Sequence, residues 1–218
     1  MTKRFQKELD KIKRMLLSLG ALIETRVRET KSAIESLDSE LAEQIIRTDY
    51  EIDEMEVEIE EECLKVMALH QPVAIDLRFL VAVIKINNDL ERIGDQAVNV
   101  AQRLQTITKQ AEVDVIFDYS EMAAKTETML KMSLDALVSF DIDLAFKVVI
   151  LDDEVDEIKS EAYRHIKDAL KENPEHVGYL INLLLISRHL ERMADHATNI
   201  AEEVIYMIEG QIVRHAKL

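Results

Sequence analysis

Glycine, proline, cysteine and aromatic residues are all scarce in this chain. Its 218 residues include four Gly, two Pro, one Cys and no Trp. Because Gly and Pro mark turns, few turns are possible and the helices must be long. Alternating β-branched or aromatic runs bounded by turn residues are also absent, so the sequence does not support strands. These shortages predict an all-α fold.

Positive charge is the next shortage: 27 Lys and Arg stand against 43 Asp and Glu, a formal net charge of −16. This balance argues against nucleic acid as a partner, since phosphates need a basic footprint, and favours metal cations or basic protein surfaces.

No apolar stretch approaches about 18 residues without charge, so no transmembrane segment is expected. The first residues are amphipathic and charged, unlike a signal peptide. The single Cys63 cannot form an internal disulfide, which fits a cytoplasmic location, and its helical register favours a core position.

What the chain has in abundance is internal repetition. NNDLERIGDQAVNVAQRL (87–104) matches SRHLERMADHATNIAEEV (187–204) at an offset of 100 residues. SLDSELAEQIIRTDYEIDE (36–54) matches SFDIDLAFKVVILDDEVDE (139–157) at an offset of 103. Apolar residues could recur by chance in helical bundles, but acids at fixed spacing are harder to explain that way. The repetition indicates two similar halves.

Apolar periodicity predicts six long helices. They span residues 4–34, 38–69, 75–108, 115–139, 141–171 and 176–209. Short loops between long helices make neighbours antiparallel. We therefore expect two tandem, internally repeated up-down-up three-helix bundles, the first over residues 1–110 and the second over residues 111–218.

Pairs of acids four residues apart occur on both arms of the hairpin in the first half. Asp49 and Asp53 precede the turn at Pro72, and Glu91 and Asp95 follow it at equal distances along the chain. Residues four apart share a helix face, and an equal rise per residue puts the two pairs at the same height. The second half repeats the pattern with Asp152, Asp156, Glu191 and Asp195.

These acids lie beside the apolar stripe of each helix and not within it. Four carboxylates per half would then line a surface groove, where a cation would relieve their repulsion. Oxygen ligands suit Mg²⁺, Ca²⁺, Mn²⁺ or iron; the pattern does not distinguish these metals or Zn²⁺, and a solvated acidic face without metal fits it as well. Arg92 and Arg192 would pair with neighbouring acids or help to hold an anion over the metal. His189 and His196 flank only the second motif, so we expect them at the surface.

LERIGDQAVNVA (90–101) and LERMADHATNIA (190–201), with QPVAIDLRFL (71–80) before the first, resemble the PhoU family of phosphate-transport regulators. The resemblance implies a cytoplasmic, usually dimeric protein that acts with the ATPase subunit of the phosphate ABC transporter and with a phosphate-sensing histidine kinase. It also implies negative regulation of phosphate-starvation genes. Some members carry iron or other metal clusters on these motifs, and others carry none; here the ligands would be the eight acids listed above.

Two other classes of function compete with a regulator. A carboxylate-ligated metalloenzyme of the helical-bundle type would need Glu-x-x-His pairs that project into the bundle core, and neither motif supplies one. A purely structural helical spacer would have no use for the duplicated acids. The sequence therefore favours a non-enzymatic regulator of phosphate uptake.

Overall fold

The structure, a computed structural model, describes residues 3–110 and 117–211. Within these residues the chain forms seven α-helices and one short 3-10 helix. They are α1 (Lys3–Ser36), α2 (Ser39–Arg47), α3 (Tyr50–His70), α4 (Ala74–Ile107), α5 (Ser120–Ser139), α6 (Ile142–Glu172), the 3-10 helix Pro174–His176 and α7 (Val177–Glu209). None of the described residues is in a strand, so the all-α prediction is confirmed. The predicted helix start at residue 115 lies outside the described residues.

The second predicted helix is interrupted at Thr48 and Asp49, which separate α2 from α3. The buried Arg26 of α1 contacts this break, since its guanidinium donates to the carbonyl of Ile45 and, at 2.7 Å, to the hydroxyl of Thr48. At the offset of 103 residues, the counterpart of Arg26 is Met129, which has no such donor. The corresponding helix of the second half, α6, is continuous. The duplicated halves therefore differ at this point.

The two halves pack on each other to form one continuous hydrophobic core. α4 of the first half and α7 of the second make the most extensive contact between helices, and α1 also packs against α5. Leu90 and Ala97 of α4 are fully buried, and their counterparts Leu190 and Ala197 of α7 are equally inaccessible. Cys63 is buried in the same core, as its register predicts. Among the described helices, none is long and apolar enough to cross a membrane.

A row of polar contacts joins α4 to α7 along the edge of this core. The contacts are Arg103 Nη1 to Asn182 Oδ1 at 3.4 Å, His189 Nδ1 to Gln96 Oε1 at 2.9 Å, His196 Nδ1 to Asp89 Oδ1 at 2.8 Å, and Lys85 Nζ to Glu203 Oε1 at 3.0 Å. Their α7 members recur every seven residues, the repeat of two helices that wind around each other. We call this row the polar seam.

The polar seam corrects the expectation that His189 and His196 are surface residues. Each imidazole contacts a side chain of the opposite half. Burial lowers the pKa of His189 to about 4, helped by the positive charges of Arg103 and Arg192. His189 is therefore neutral at physiological pH. The physical reason for the error is that both histidines occupy heptad positions that face α4, which only the packing of the two halves reveals.

Candidate functional site

Four of the predicted acids meet between α3 and α4 and form what we call the first acidic cluster: Asp49, Asp53, Glu91 and Asp95. The break before α3 places Asp49 at the N-terminal boundary of that helix, and Asp53 lies one turn later. Burial raises the pKa of Asp49 to about 6, and the charges of Asp53 and Asp95 add to the shift. Because Asp95 belongs to α4, the charge of the neighbouring helix contributes to the raised pKa of Asp49.

Glu91, the first acid of the α4 pair, also has a perturbed pKa. Burial raises its pKa to about 7, Asp95 adds to the shift and Arg92 opposes it. Arg92 Nε lies 3.3 Å from Glu91 Oε2, and Arg92 Nη1 lies 3.1 Å from Asp95 Oδ2. The arginine thus pairs with neighbouring acids, one of the two roles expected from the sequence. The single positive charge of Arg92 compensates only part of the negative charge of the cluster.

Glu56 of α3 also belongs beside this cluster, although the repeat of acid pairs does not single it out. Burial raises its pKa, with further contributions from Glu60 and Asp53. The side-chain amide of Asn87 donates to the Glu56 carbonyl at 2.9 Å and to its carboxylate at 3.3 Å. Helical spacing from Asp53 could have identified Glu56, because residues three apart share a helix face.

The second acidic cluster consists of Asp152 and Asp156 of α6 with Glu191 and Asp195 of α7. Burial raises the pKa of Asp152 to about 6, and the charges of Asp195 and Asp156 add to the shift. Burial also raises the pKa of Asp195, followed by the charges of Glu191 and Asp156. In this half too, acids on one helix of the hairpin contribute to the raised pKa of an acid on the other.

The second cluster contains a lysine that has no equivalent in the first. Lys159 Nζ pairs with the carboxylate of Glu191 and lies 3.6 Å from Asp156 Oδ1. Burial works against its charge, but the hydrogen bond with Glu191 and the attraction of Asp156 raise the pKa of Lys159. The lysine therefore stays protonated and neutralises part of this cluster.

The first acidic cluster is rich in carboxylate oxygens. Asp49 Oδ1 and Glu91 Oε2 are both buried and accept no hydrogen bond, although Arg92 Nε lies 3.3 Å from Glu91 Oε2. Carboxylate oxygens are the ligands that hard cations such as Mg²⁺ and Ca²⁺ prefer. Within residues 3–110 and 117–211, no three His, Cys, Asp or Glu side chains already stand in an arrangement that could hold a metal ion. A cation would have to draw the carboxylates closer together.

The sequence and the fold are both similar to proteins of known identity. The family model described as PhoU domain matches twice, over residues 16–104 and 119–204. A relative from Pseudomonas aeruginosa, named phosphate-specific transport system accessory protein PhoU homolog, is 36% identical over 100% of this chain and 90% of its own length. The homolog from Clostridium acetobutylicum is 34% identical over 98% of both chains.

Solved structures agree with these relatives. The crystal structure of PhoU from Pseudomonas aeruginosa has a TM-score of 0.90 at 37% identity and covers 95% of this chain and 100% of its own. The phosphate transport system regulatory protein PhoU from Streptococcus pneumoniae has a TM-score of 0.85 at 29% identity, with 96% and 99% covered. The similarity thus extends over nearly the whole of each chain.

Proposed function

Because this chain belongs to the PhoU family, we propose that it regulates phosphate uptake and phosphate-starvation signalling. The observation that carries the proposal is the double match of the family domain, one in each half of the chain. Relatives that align over nearly its whole length are named accessory proteins of a phosphate-specific transport system. A regulatory role in phosphate transport follows from that similarity.

The finer proposal is that the protein links the ATPase subunit of the phosphate ABC transporter to a sensor histidine kinase and acts as a negative regulator. It would do so in the cytoplasm as a homodimer. The net charge of −16 supports contact with basic surfaces of such partners, since opposite charges speed up encounter and select orientation. Neither partner's contact surface follows from the acidic clusters themselves.

We further propose that metal binding to the acidic clusters tunes this contact. In the first acidic cluster the ligands would be Asp49, Asp53, Glu91 and Asp95, and in the second Asp152, Asp156, Glu191 and Asp195. A bound cation would supply the positive charge that converging carboxylates lack. The side chains of each cluster would then hold the two helices of their hairpin in one fixed arrangement.

A metalloenzyme is not favoured. Di-iron enzymes of the helical-bundle type take their ligands from side chains that project into the bundle core. Here Asp95 has a side chain that is 37% exposed and Asp156 one that is 61% exposed, so the acids border the surface. We therefore propose that the chain is not an enzyme.

Pull-down experiments test the regulatory proposal. Purified protein is presented to the transporter ATPase subunit and, separately, to the sensor kinase, each from phosphate-replete and phosphate-starved cells. We expect capture of both partners and a difference between the two conditions. A variant in which all eight cluster acids are changed to Asn or Gln separates the contribution of the clusters from that of the rest of the surface. Failure to capture either partner in both conditions would contradict the proposed link.

A further inference from the structure

A groove between α6 and α7 in the second half is lined by basic side chains, which are scarce in this chain. We call it the α6–α7 groove. Its volume is about 720 Å³, within the range of roughly 300–1,000 Å³ that is typical of sites for small organic ligands. Four basic residues and two acids line it: Lys159, Arg164, Arg188, Arg192, Glu191 and Asp195. The groove is therefore positively charged on a chain whose net charge is −16.

The corresponding positions of the first half have the opposite charge. The offset of 103 residues relates α3 to α6, and buried positions keep this register, since Ile59 and its counterpart Ala162 are both inaccessible. The basic positions outside the shared motif correspond to acids or an amide: Lys159 to Glu56, Arg164 to Glu61 and Arg188 to Asn88. The positive groove is therefore a property of the second half alone and not a part of the repeat.

The charges inside the α6–α7 groove do not cancel. Lys159 pairs with the carboxylate of Glu191, so these two residues neutralise each other. Asp195 is then the remaining acid of the lining, and it stands against the three arginines. A surplus of positive charge follows.

The three arginines are free to bind a ligand. Arg164, Arg188 and Arg192 are exposed, and within residues 3–110 and 117–211 none of them forms an ion pair. Arg164 Nε donates to the Ser160 carbonyl at 3.4 Å. Arg188 and Arg192 lie four residues apart on α7, where like charges repel each other. An anion in the groove would relieve that repulsion.

Apolar side chains complete the lining. Leu184 and Leu185 of α7 are partly buried, and Tyr163 of α6 is 54% exposed. The counterpart of Tyr163 in the first half is Glu60, so the aromatic ring is also particular to this groove. A ring and two leucines beside guanidinium groups suit a ligand that has a flat apolar body and an anionic end.

We propose that the α6–α7 groove binds a nucleoside polyphosphate, with its phosphates on Arg164, Arg188 and Arg192 and its base against Tyr163. Guanidinium groups hold phosphate oxygens through pairs of parallel hydrogen bonds, and an aromatic side chain stacks on any base. Inorganic phosphates match the charge of the groove but leave its apolar part unused. The site lies outside the eight acids proposed as metal ligands, apart from Glu191 and Asp195 at its border.

Calorimetric titration with ATP in the presence of a chelator tests the inference, because the chelator keeps metal out of the acidic clusters. We expect wild type to bind ATP about tenfold more tightly than inorganic tripolyphosphate, which has a comparable charge but no base. Arg164→Gln/Arg188→Gln should weaken ATP binding at least about tenfold. Lys147→Gln/Lys167→Gln removes the same charge from exposed positions of α6 outside the groove and should leave ATP binding unchanged.

Tyr163 variants separate the contact with the base from the contacts with the phosphates. Tyr163→Ala should weaken ATP binding about tenfold and leave tripolyphosphate binding unchanged, whereas Tyr163→Phe keeps the ring and should match wild type. Circular dichroism and thermal melting establish that each variant is folded.

Two results would overturn the inference. One is the absence of ATP binding to wild type. The other is equal affinity for ATP and tripolyphosphate, which would make the groove a surface for any polyanion, including an acidic protein segment. Neither result bears on metal binding or on regulation of phosphate uptake, so failure here is distinguishable from failure of the proposed function.

Discussion

His196 Nδ1 of α7 lies 2.8 Å from Asp89 Oδ1 of α4, and this contact links the second half of the chain to the first. Asn199 donates to the same carboxylate oxygen at 3.1 Å. Asp89 is only 8% exposed, so water cannot readily replace either partner. The polar seam therefore fixes the register in which the two duplicated halves pack.

Asp89→Ala tests the contribution of this contact to stability. Removal of the carboxylate leaves two polar side chains without their partner, which costs about 1–3 kcal/mol when the groups are buried. We expect that decrease in the free energy of unfolding, measured by urea denaturation. Asp135→Ala, at an exposed position of α5, is the control and should change stability by less than about 0.5 kcal/mol. Equal stability of the two variants would show that Asp89 is not needed at the seam.

Arg26→Met replaces the buried guanidinium with the residue type found at the corresponding position of the second half. The carbonyl of Ile45 and the hydroxyl of Thr48 then lose their donor. Loss of hydrogen bonds to a charged group should lower the free energy of unfolding by about 2–4 kcal/mol. Arg14→Met, at an exposed position of α1, serves as control in the same denaturation series. A wild-type stability for Arg26→Met would mean that the α2–α3 break does not depend on Arg26.

Protonation of the first acidic cluster should stabilise the metal-free protein as the pH falls from about 8. Below about 6.5, His189 opposes this gain, because its pKa is lowered to about 4 in the folded chain and its protonation favours the unfolded chain. The pKa values of Glu91 and Asp49 in the folded chain are about 7 and about 6, both raised by burial. An acid whose pKa is higher in the folded chain than in the unfolded chain binds its proton more readily when the chain is folded. Its protonation therefore favours folding. The gain begins near the folded pKa values and is complete once the pH lies below the ordinary carboxylate range of about 4.

Glu91→Gln assigns this pH dependence to the first acidic cluster. The variant should be more stable than wild type at pH 8, where the charged Glu91 is disfavoured by burial and by Asp95, and similar to wild type at pH 5. Urea denaturation in the presence of a chelator at several pH values provides the measurement. Glu43→Gln removes an exposed acid of α2 and is the matched control. Parallel pH profiles for wild type and Glu91→Gln would contradict the account.

Much of the architecture can be predicted from the sequence because local patterns determine it. The scarcity of Gly and Pro and the apolar periodicity predict six long helices, and the spacing of acids around Pro72 predicts which pairs lie at the same height. The α2–α3 break escapes prediction since it involves Arg26, a residue distant in sequence from Thr48. The contacts of His196 likewise depend on how the two halves pack.

The difference between the two acidic clusters, unlike the α2–α3 break, is visible in the sequence itself. The same offset that aligns Asp53 with Asp156 also aligns Glu56 with Lys159. The exchange gains meaning only from the contact of Lys159 with Glu191 across the hairpin. A repeat in sequence therefore predicts the duplicated scaffold, while the chemistry of each copy depends on side-chain contacts.

A reporter of phosphate-starvation genes in the source organism tests the central claim most directly. In phosphate-rich medium, deletion of this gene should raise reporter expression, since a negative regulator is lost, and the wild-type gene should restore low expression. The gene with all eight cluster acids changed to Asn or Gln should fail to restore it, provided that immunoblotting shows equal protein levels. Low reporter expression in the deletion strain would contradict the regulatory role itself.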